Sequence, residues 1–296
     1  MTIAILGMGV LSAPAFGANA ARPGTVNYIE GAAYLDGRPL SNKSVGSVEM
    51  NAGEELTTGN GKAEILLTPG IYLRVDDRSA VKMVSPDLEL TQMEVDRGRA
   101  GVEVDQIFPQ NDVQVMDGGV TTQLVKTGYY EFDANHPEAM VFRGRAEVEV
   151  GDGKYEAIKN HHELMLEDGA HVKTVNFEAR GTGDDLYNWS SLRSQYLAEA
   201  NNQISGEYAY APGFNPGWYW DPYAWDYTFL GMDPFFSPFG WGFYPIGWGG
   251  YWGGFYGRGF YGRGYYGGFR GAMGGFHGGG FGGFHGGGGF GGGGRR

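Results

Sequence analysis

Residues 127–150 read TGYYEFDANHPEAMVFRGRAEVEV, and the order of residue types in this stretch decides the fold. Apolar and polar residues alternate on both sides of the Asn135–Pro137 region, the pattern of strands that bury one face. A Thr127-Gly128 turn opens the stretch, and Gly144 sits between Arg143 and Arg145. The reading is two β-hairpin arms.

The same punctuation extends outward from residue 24 to residue 173. Strand candidates run at 26–34, 63–67, 71–75, 80–84, 88–95, 101–104, 113–116, 120–125, 129–132, 139–142, 146–150, 155–158, 164–166 and 171–175. Asp36-Gly37, Asn60-Gly61, Pro69-Gly70, Asp117-Gly118, Asp152-Gly153 and Asp168-Gly169 supply the left-handed positions that tight reversals need. So many short strands imply an all-β domain, built as a β-sandwich or as a stacked β-helical roll. Near Gly183 the period changes to 3.6. Asp184 can cap a helix on which Leu186, Trp189, Leu192, Tyr196 and Ala200 form one stripe, ending before Gly206. One amphipathic helix is expected, its stripe covering an end or face of the β domain.

The motif order resembles the FecR domain of bacterial envelope proteins. Residues 53–59 (GEELTTG) with 63–67 (AEILL), then 97–100 (RGRA) before 102–104 (VEV), then the 127–150 block, follow that family's succession over about residues 45–170. The resemblance implies an all-β envelope domain that makes protein contacts and performs no catalysis. Its best-known members are inner-membrane regulators that relay a signal from an outer-membrane transporter to a cytoplasmic sigma factor. This chain departs from them: it shows no helical region ahead of the β domain and no stretch of 18 or so apolar residues to cross a membrane.

The opening MTIAILGMGVLSAPAFGANA has an apolar run through Leu11 and an Ala18-Asn19-Ala20 ending, the form of a secretory signal cleaved near Ala20, although no positive charge precedes Leu11. A periplasmic or secreted protein follows. The expected organisation is a signal peptide at 1–20, a FecR-like β domain at 21–175, an amphipathic helix at 183–205, an aromatic and Pro-rich segment at 206–252, and a disordered Gly-rich tail at 253–296. Of the 55 glycines, 24 crowd into residues 253–296, where ordering would cost too much backbone entropy.

The net charge of -12 belongs to the front. From Asn201 onward four acids face five arginines, leaving 30 acids and 17 bases in residues 1–200, a balance that repels nucleic acid. With no cysteine there is no disulfide, thiolate nucleophile or zinc-thiolate site. No nucleophile elbow, phosphate loop or zinc-protease motif is present, so no enzyme activity and no cofactor are expected. No metal is expected either. His161 and His162 are adjacent and would face opposite sides of a strand, His277 and His285 lie in Gly-rich coil, and Asp76-Asp77, Asp152 and Asp184-Asp185 lack the acidic ladder of a calcium loop.

The candidate partner-binding residues are Trp218, Tyr219, Trp220, Tyr223, Trp225 and Trp241, beside Pro216 and Pro222, with Arg258 and Arg263 from the FYGRG repeats. Exposed rings of this kind stack on sugars or dock proteins, and the alternative is that they strap back onto the β domain. Arginine over tyrosine in the tail supports self-association, against an inert spacer. The expected function is an envelope binding or scaffold protein whose partner is an envelope protein or a cell-surface glycan. The alternatives are a FecR-type signalling sensor and carbohydrate binding through the aromatics.

Overall fold

A computed structural model describes residues 21–150, 154–166, 174–177, 184–208 and 214–244. The expected leader at 1–20, the Gly-rich tail, Asp152, His277, His285, Arg258 and Arg263 lie outside these residues. The elements are β1 (Val26–Leu35), β2 (Arg38–Pro39), β3 (Glu55–Leu66), β4 (Ile71–Val75), β5 (Ala80–Pro86), β6 (Leu90–Arg97), β7 (Arg99–Val104), β8 (Asp112–Asp117), β9 (Val120–Leu124) and β10 (Gly128–Asp133). They continue with β11 (Glu138–Arg143), β12 (Arg145–Glu149), β13 (Tyr155–Lys159), β14 (His162–Met165), β15 (Val175–Asn176), α1 (Asp185–Tyr208), β16 (Gly217–Asp221), β17 (Asp226–Leu230), β18 (Phe235–Phe236) and β19 (Gly242–Phe243). The protein is all-β with a single long helix among the described residues.

Strands β4, β7, β10, β11, β14 and β15 form one half of the main sheet in that order, and β5, β6, β8, β9, β12 and β13 form the other. The long strand β3 joins them. Its first residues pair with β5, its last with β4, and β1 runs along its other edge. Both halves contribute to one apolar core, including Leu73, Val102 and Phe132 from the first and Met83, Val115 and Val148 from the second. The sheet therefore folds over on itself as a sandwich.

The chain passes repeatedly between the halves, and its two Arg-Gly-Arg triplets are crossing points. Gly98 (φ 69°) separates β6 from β7, and Gly144 (φ 112°) separates β11 from β12. A β-carbon on Gly98 would strike Ser79, and one on Gly144 would strike the Tyr130 hydroxyl. Within the 127–150 stretch, β10 and β11 form an antiparallel hairpin, but β12 leaves it and pairs with β9 and β13. Gly144 is thus a corner between sheet halves and not the turn of a second arm.

The helix begins as its cap predicts: Asp184 Oδ1 accepts the Tyr187 N–H at 2.8 Å. Of the expected stripe, Leu186, Trp189 and Ala200 are buried, but Leu192 and Tyr196 are 46% and 47% exposed. The buried face is completed by Ser190, Arg193, Ser194, Leu197, Asn201, Ile204 and Ser205. A polar surface on the sheet beneath selects those side chains. Residues 217–243, which show no apolar periodicity, form two short hairpins, β16 with β17 and β18 with β19.

If the corners require glycine, Gly144→Ala should destabilise the full chain by about 1–3 kcal/mol through strain and collision. Gly119→Ala, at φ 79° with open space around it, carries strain alone and should cost less. Urea unfolding midpoints of the two variants check the order.

Candidate partner-binding surface and the charge layer beneath it

The last five residues of β3 and strands β4, β7 and β10 are buried on both faces. Alternation sends Ile65, Leu73, Val102 and Phe132 into the sandwich core and Glu64, Arg74, Glu103 and Glu131 to the opposite side. Each of these four charged residues is no more than 1% exposed. Arg74 stands at the centre. Its Nε donates to Glu64 Oε2 at 2.9 Å, and its Nη1 pairs with Glu103.

The helix and the β16–β17 hairpin close over this layer with matching polar groups. Arg193 Nη2 reaches Glu64 Oε1 at 3.0 Å and Asp226 Oδ2 at 2.9 Å. Ser194 Oγ donates to Glu103 Oε1 at 2.6 Å, and the Tyr129 hydroxyl lies 2.8 Å from Glu131 Oε1 and 2.9 Å from Ser190 Oγ. Asn27 Nδ2 donates to Glu64 and to the Tyr227 carbonyl, while its Oδ1 accepts the Tyr227 N–H at 2.7 Å. At the start of α1, Asp184 pairs with Arg99 and Asp185 with Lys62, which also pairs with Asp76. Asp76, Asp184 and Asp185, weighed above as calcium ligands, are thus taken up in ion pairs. Gly101 lies on the outer face of β7 because any side chain there would collide with the Tyr129 hydroxyl.

Four cations (Lys62, Arg74, Arg99, Arg193) face eight acids (Glu64, Asp76, Glu103, Asp105, Glu131, Asp184, Asp185, Asp226) in and around the layer. The surplus of acid spreads the titrations apart. Burial alone would raise Glu64, but the Arg193 and Arg74 guanidiniums overcome it and hold the carboxyl at about 2. Glu131 is pushed up to about 8 by burial, with the Asp184 charge adding to it. Burial also lifts Asp226 to about 6 against the pull of Arg193. Asp105 lies well above the ordinary carboxylate range because it is buried beside Glu103.

The aromatic candidates divide into two groups. Trp218 is half-buried, its Nε1 donating to the Leu67 carbonyl at 3.3 Å and its ring edge-on to Tyr72 at 5.0 Å. Trp220 packs on Tyr227 at 5.0 Å, and Trp241 Nε1 donates to the Ser191 carbonyl at 3.0 Å. Tyr219 stacks on Phe214 and hydrogen-bonds the Asn215 carbonyl at 2.7 Å. Trp218 and Trp241 thus strap the hairpins to the body, Trp220 and Tyr219 brace the β16–β17 segment from within, and all four rings are only half-exposed. Tyr223 and Trp225 stand out from it, 76% and 71% exposed. They flank the β16–β17 turn, where Asp221 Oδ1 accepts the Tyr223 N–H at 2.8 Å and the Asp221 carbonyl accepts the Trp225 N–H at 2.9 Å. Trp225 adopts φ 58°, a left-handed conformation that a bulky residue rarely holds. The turn therefore presents two rings on a braced support.

Among the described residues no group of three or more His, Asp or Glu side chains is placed to hold a metal ion. No described helix is long and apolar enough to cross a membrane. No family model matches the sequence, and no curated protein matches it. The chain is similar to two crystal structures from Parabacteroides distasonis ATCC 8503 that carry the label anti-sigma factor. Identity is 12% and 11%, with a TM-score of 0.37 in each case. The similarity covers 43% of this chain and spans 61% of each of theirs. A likeness of that extent carries nothing about what this chain does.

Arg74→Met should destabilise the full chain by about 3–5 kcal/mol, because Glu64 and Glu103 would remain buried with a partner missing. Arg38→Met, which breaks the exposed Arg38–Glu54 pair, should cost about 1 kcal/mol or less. Chemical denaturation of both variants checks the contrast. The pH dependence has two limbs. Glu64 lies below its unfolded value of 4.5, so its contribution is complete above pH 4.5 and is lost as pH falls towards 2. Glu131 lies above the same value, so its contribution is complete below pH 4.5 and is lost as pH rises through about 8. Thermal unfolding from pH 3 to 9 should show a maximum near pH 4.5, and Glu131→Gln should flatten the decline on the alkaline side.

Proposed function

We infer that the chain is an exported, non-catalytic binding protein of the cell envelope, with a FecR-like β domain as its scaffold and the Tyr223–Trp225 turn as its contact point. The observation that supports this most is the contrast within one aromatic segment. Trp218 and Trp241 are spent on holding the hairpins down and Trp220 on packing against Tyr227, while Tyr223 and Trp225 are left in solvent on a turn braced by Asp221. Large rings left exposed on a rigid support have the form of an interface anchor. The motif order from residue 53 to residue 150 supports the family reading, and the signal-like residues 1–20 support export.

A FecR-type signalling relay is the second reading, and the motif order favours it. In either role the β domain works through contact.

The test compares the full chain with the Tyr223→Ala/Trp225→Ala variant in pull-downs from envelope fractions and in binding to cell-wall glycan. The double variant should keep its unfolding midpoint within about 1 kcal/mol, since both rings are exposed, and should recover at least tenfold less partner or glycan. Equal recovery removes the turn as the contact point. N-terminal sequencing of the protein from a periplasmic extract should find a start near Ala21, and an intact leader on cytoplasmic protein would exclude export. An altered set of sigma-dependent transcripts in a deletion strain would favour the relay.

A further inference from the structure

A cleft of about 300 Å³ opens on the outer face of β10 and β11, beside the first turns of α1. Its walls are rings. Tyr129 lies 4.8 Å from Phe239 and 5.6 Å from Tyr187, and Phe142 lies 4.8 Å from Tyr187. Each wall ring touches at least two others, and Tyr129 is fixed from behind through its hydroxyl by Glu131 and Ser190. The wall rings are therefore fixed in place by their own contacts.

The rim is polar and its titratable groups are basic. Arg143 is exposed and spends Nη1 on the Pro238 carbonyl at 3.3 Å. Asn160 Oδ1 accepts the Gly144 N–H at 2.7 Å, which leaves its amide nitrogen as the group that can donate to a ligand. His161 is exposed at φ 59°, with its N–H donated to the Val141 carbonyl at 2.7 Å and its own carbonyl accepting the Phe177 N–H at 3.0 Å. Two backbone hydrogen bonds thus pin a conformation that residues other than glycine rarely adopt. Among the described residues no acid lines the cleft, in a chain whose net charge is -12.

We propose that this cleft binds a small aromatic carboxylate, with the ring against Phe142, Tyr187 and Phe239 and the carboxylate on Arg143 and the Asn160 amide. Aromatic walls reward a planar ring by offset and edge contacts. A guanidinium and an amide donor on the lining of one cleft reward a carboxylate. The volume lies at the low end for small-molecule sites, which suits one ring and its substituent. None of the residues of the Tyr223–Trp225 turn takes part, so the outcome here is separate from that of the contact-point reading.

The test is calorimetric titration of the full chain with benzoate, benzyl alcohol and acetate, alongside the Arg143→Gln and Phe239→Leu variants. Benzoate should bind the unaltered chain at least tenfold more tightly than either benzyl alcohol or acetate. Arg143→Gln should weaken benzoate about tenfold, the factor that corresponds to 1.4 kcal/mol, and leave benzyl alcohol unchanged. Phe239→Leu should weaken both ring compounds. Absence of benzoate binding, equal binding of acetate, or an unaltered benzoate affinity in Arg143→Gln overturns the proposal. Should either variant fail to fold, the three-ligand comparison on the unaltered chain decides alone.

Discussion

Arg74 is held with no solvent exposure between Glu64 and Glu103, and the whole outer face of the sheet is organised by the need to keep it there. A buried guanidinium is tolerated only when its charge is matched and its neighbours' remaining lone pairs are satisfied. The two carboxylates meet the first condition and create the second. Glu64 takes further bonds from Asn27 and Arg193, and Glu103 takes one from Ser194. The helix is therefore more than a cover. It supplies hydrogen bonds to the sheet, and it can do so only where Ser190, Arg193 and Ser194 lie over Tyr129, Glu64 and Glu103.

The same requirement fixes the hairpin. Asp226 answers Arg193, Asn27 holds both polar groups of the Tyr227 backbone, and Asn201 donates to the Phe229 carbonyl and accepts the Tyr244 N–H. Thr228 adds a bond to the Leu197 carbonyl. A segment rich in Gly, Pro and aromatic residues, which would gain little from its own backbone propensity, becomes ordered because buried side chains of the body and the helix supply partners for its peptide groups. Two aromatic clusters then flank the charge layer. One gathers Tyr72, Leu197, Tyr227 and Phe243, the other Tyr129, Phe142 and Phe177. Apolar burial at both ends and specific polar contacts in the middle divide cohesion from registry.

What the sequence displayed plainly was whatever depends on one residue and its neighbours. The period of 2, the Asp-Gly reversals and the Asp184 cap are local properties, and the all-β architecture with one helix follows from them. What it concealed depends on residues far apart. Glu64, Arg74, Glu103 and Glu131 occupy the outward positions of their strands, which ordinarily face water, and nothing within AEILL or YYEF says that a helix more than fifty residues away will cover them. A signal was nonetheless present: AEIL, YLRV, GVEV and YYEF, on four neighbouring strands, each set a single charge among Tyr, Leu, Val and other apolar residues, a pattern suited to a second buried face. The helical stripe was legible only in part for the same reason. Leu186, Trp189 and Ala200 are buried as the period implies, but in place of Leu192 and Tyr196 the sheet takes serine, asparagine and arginine. The triplets Arg97-Gly98-Arg99 and Arg143-Gly144-Arg145 were visible as motifs, and only the pairing of β12 with β9 shows that they are corners.

The outer layer also bears on the exposed turn. A hairpin of two five-residue strands is marginal by itself, so a Trp in the left-handed region at its tip would ordinarily relax by fraying. Here Trp218 ties the base of the hairpin to the Leu67 carbonyl, Asp226 on Arg193 anchors its turn end, and Asp221 holds the turn through both its carboxylate and its carbonyl. Strain at Trp225 persists because the surroundings over-determine it. The ion pairs beneath the sheet and the rings above it are in that sense one device: the buried charges fix where the helix lies, the helix fixes the hairpin, and the hairpin holds two aromatic side chains in water with little freedom left to lose when a partner meets them.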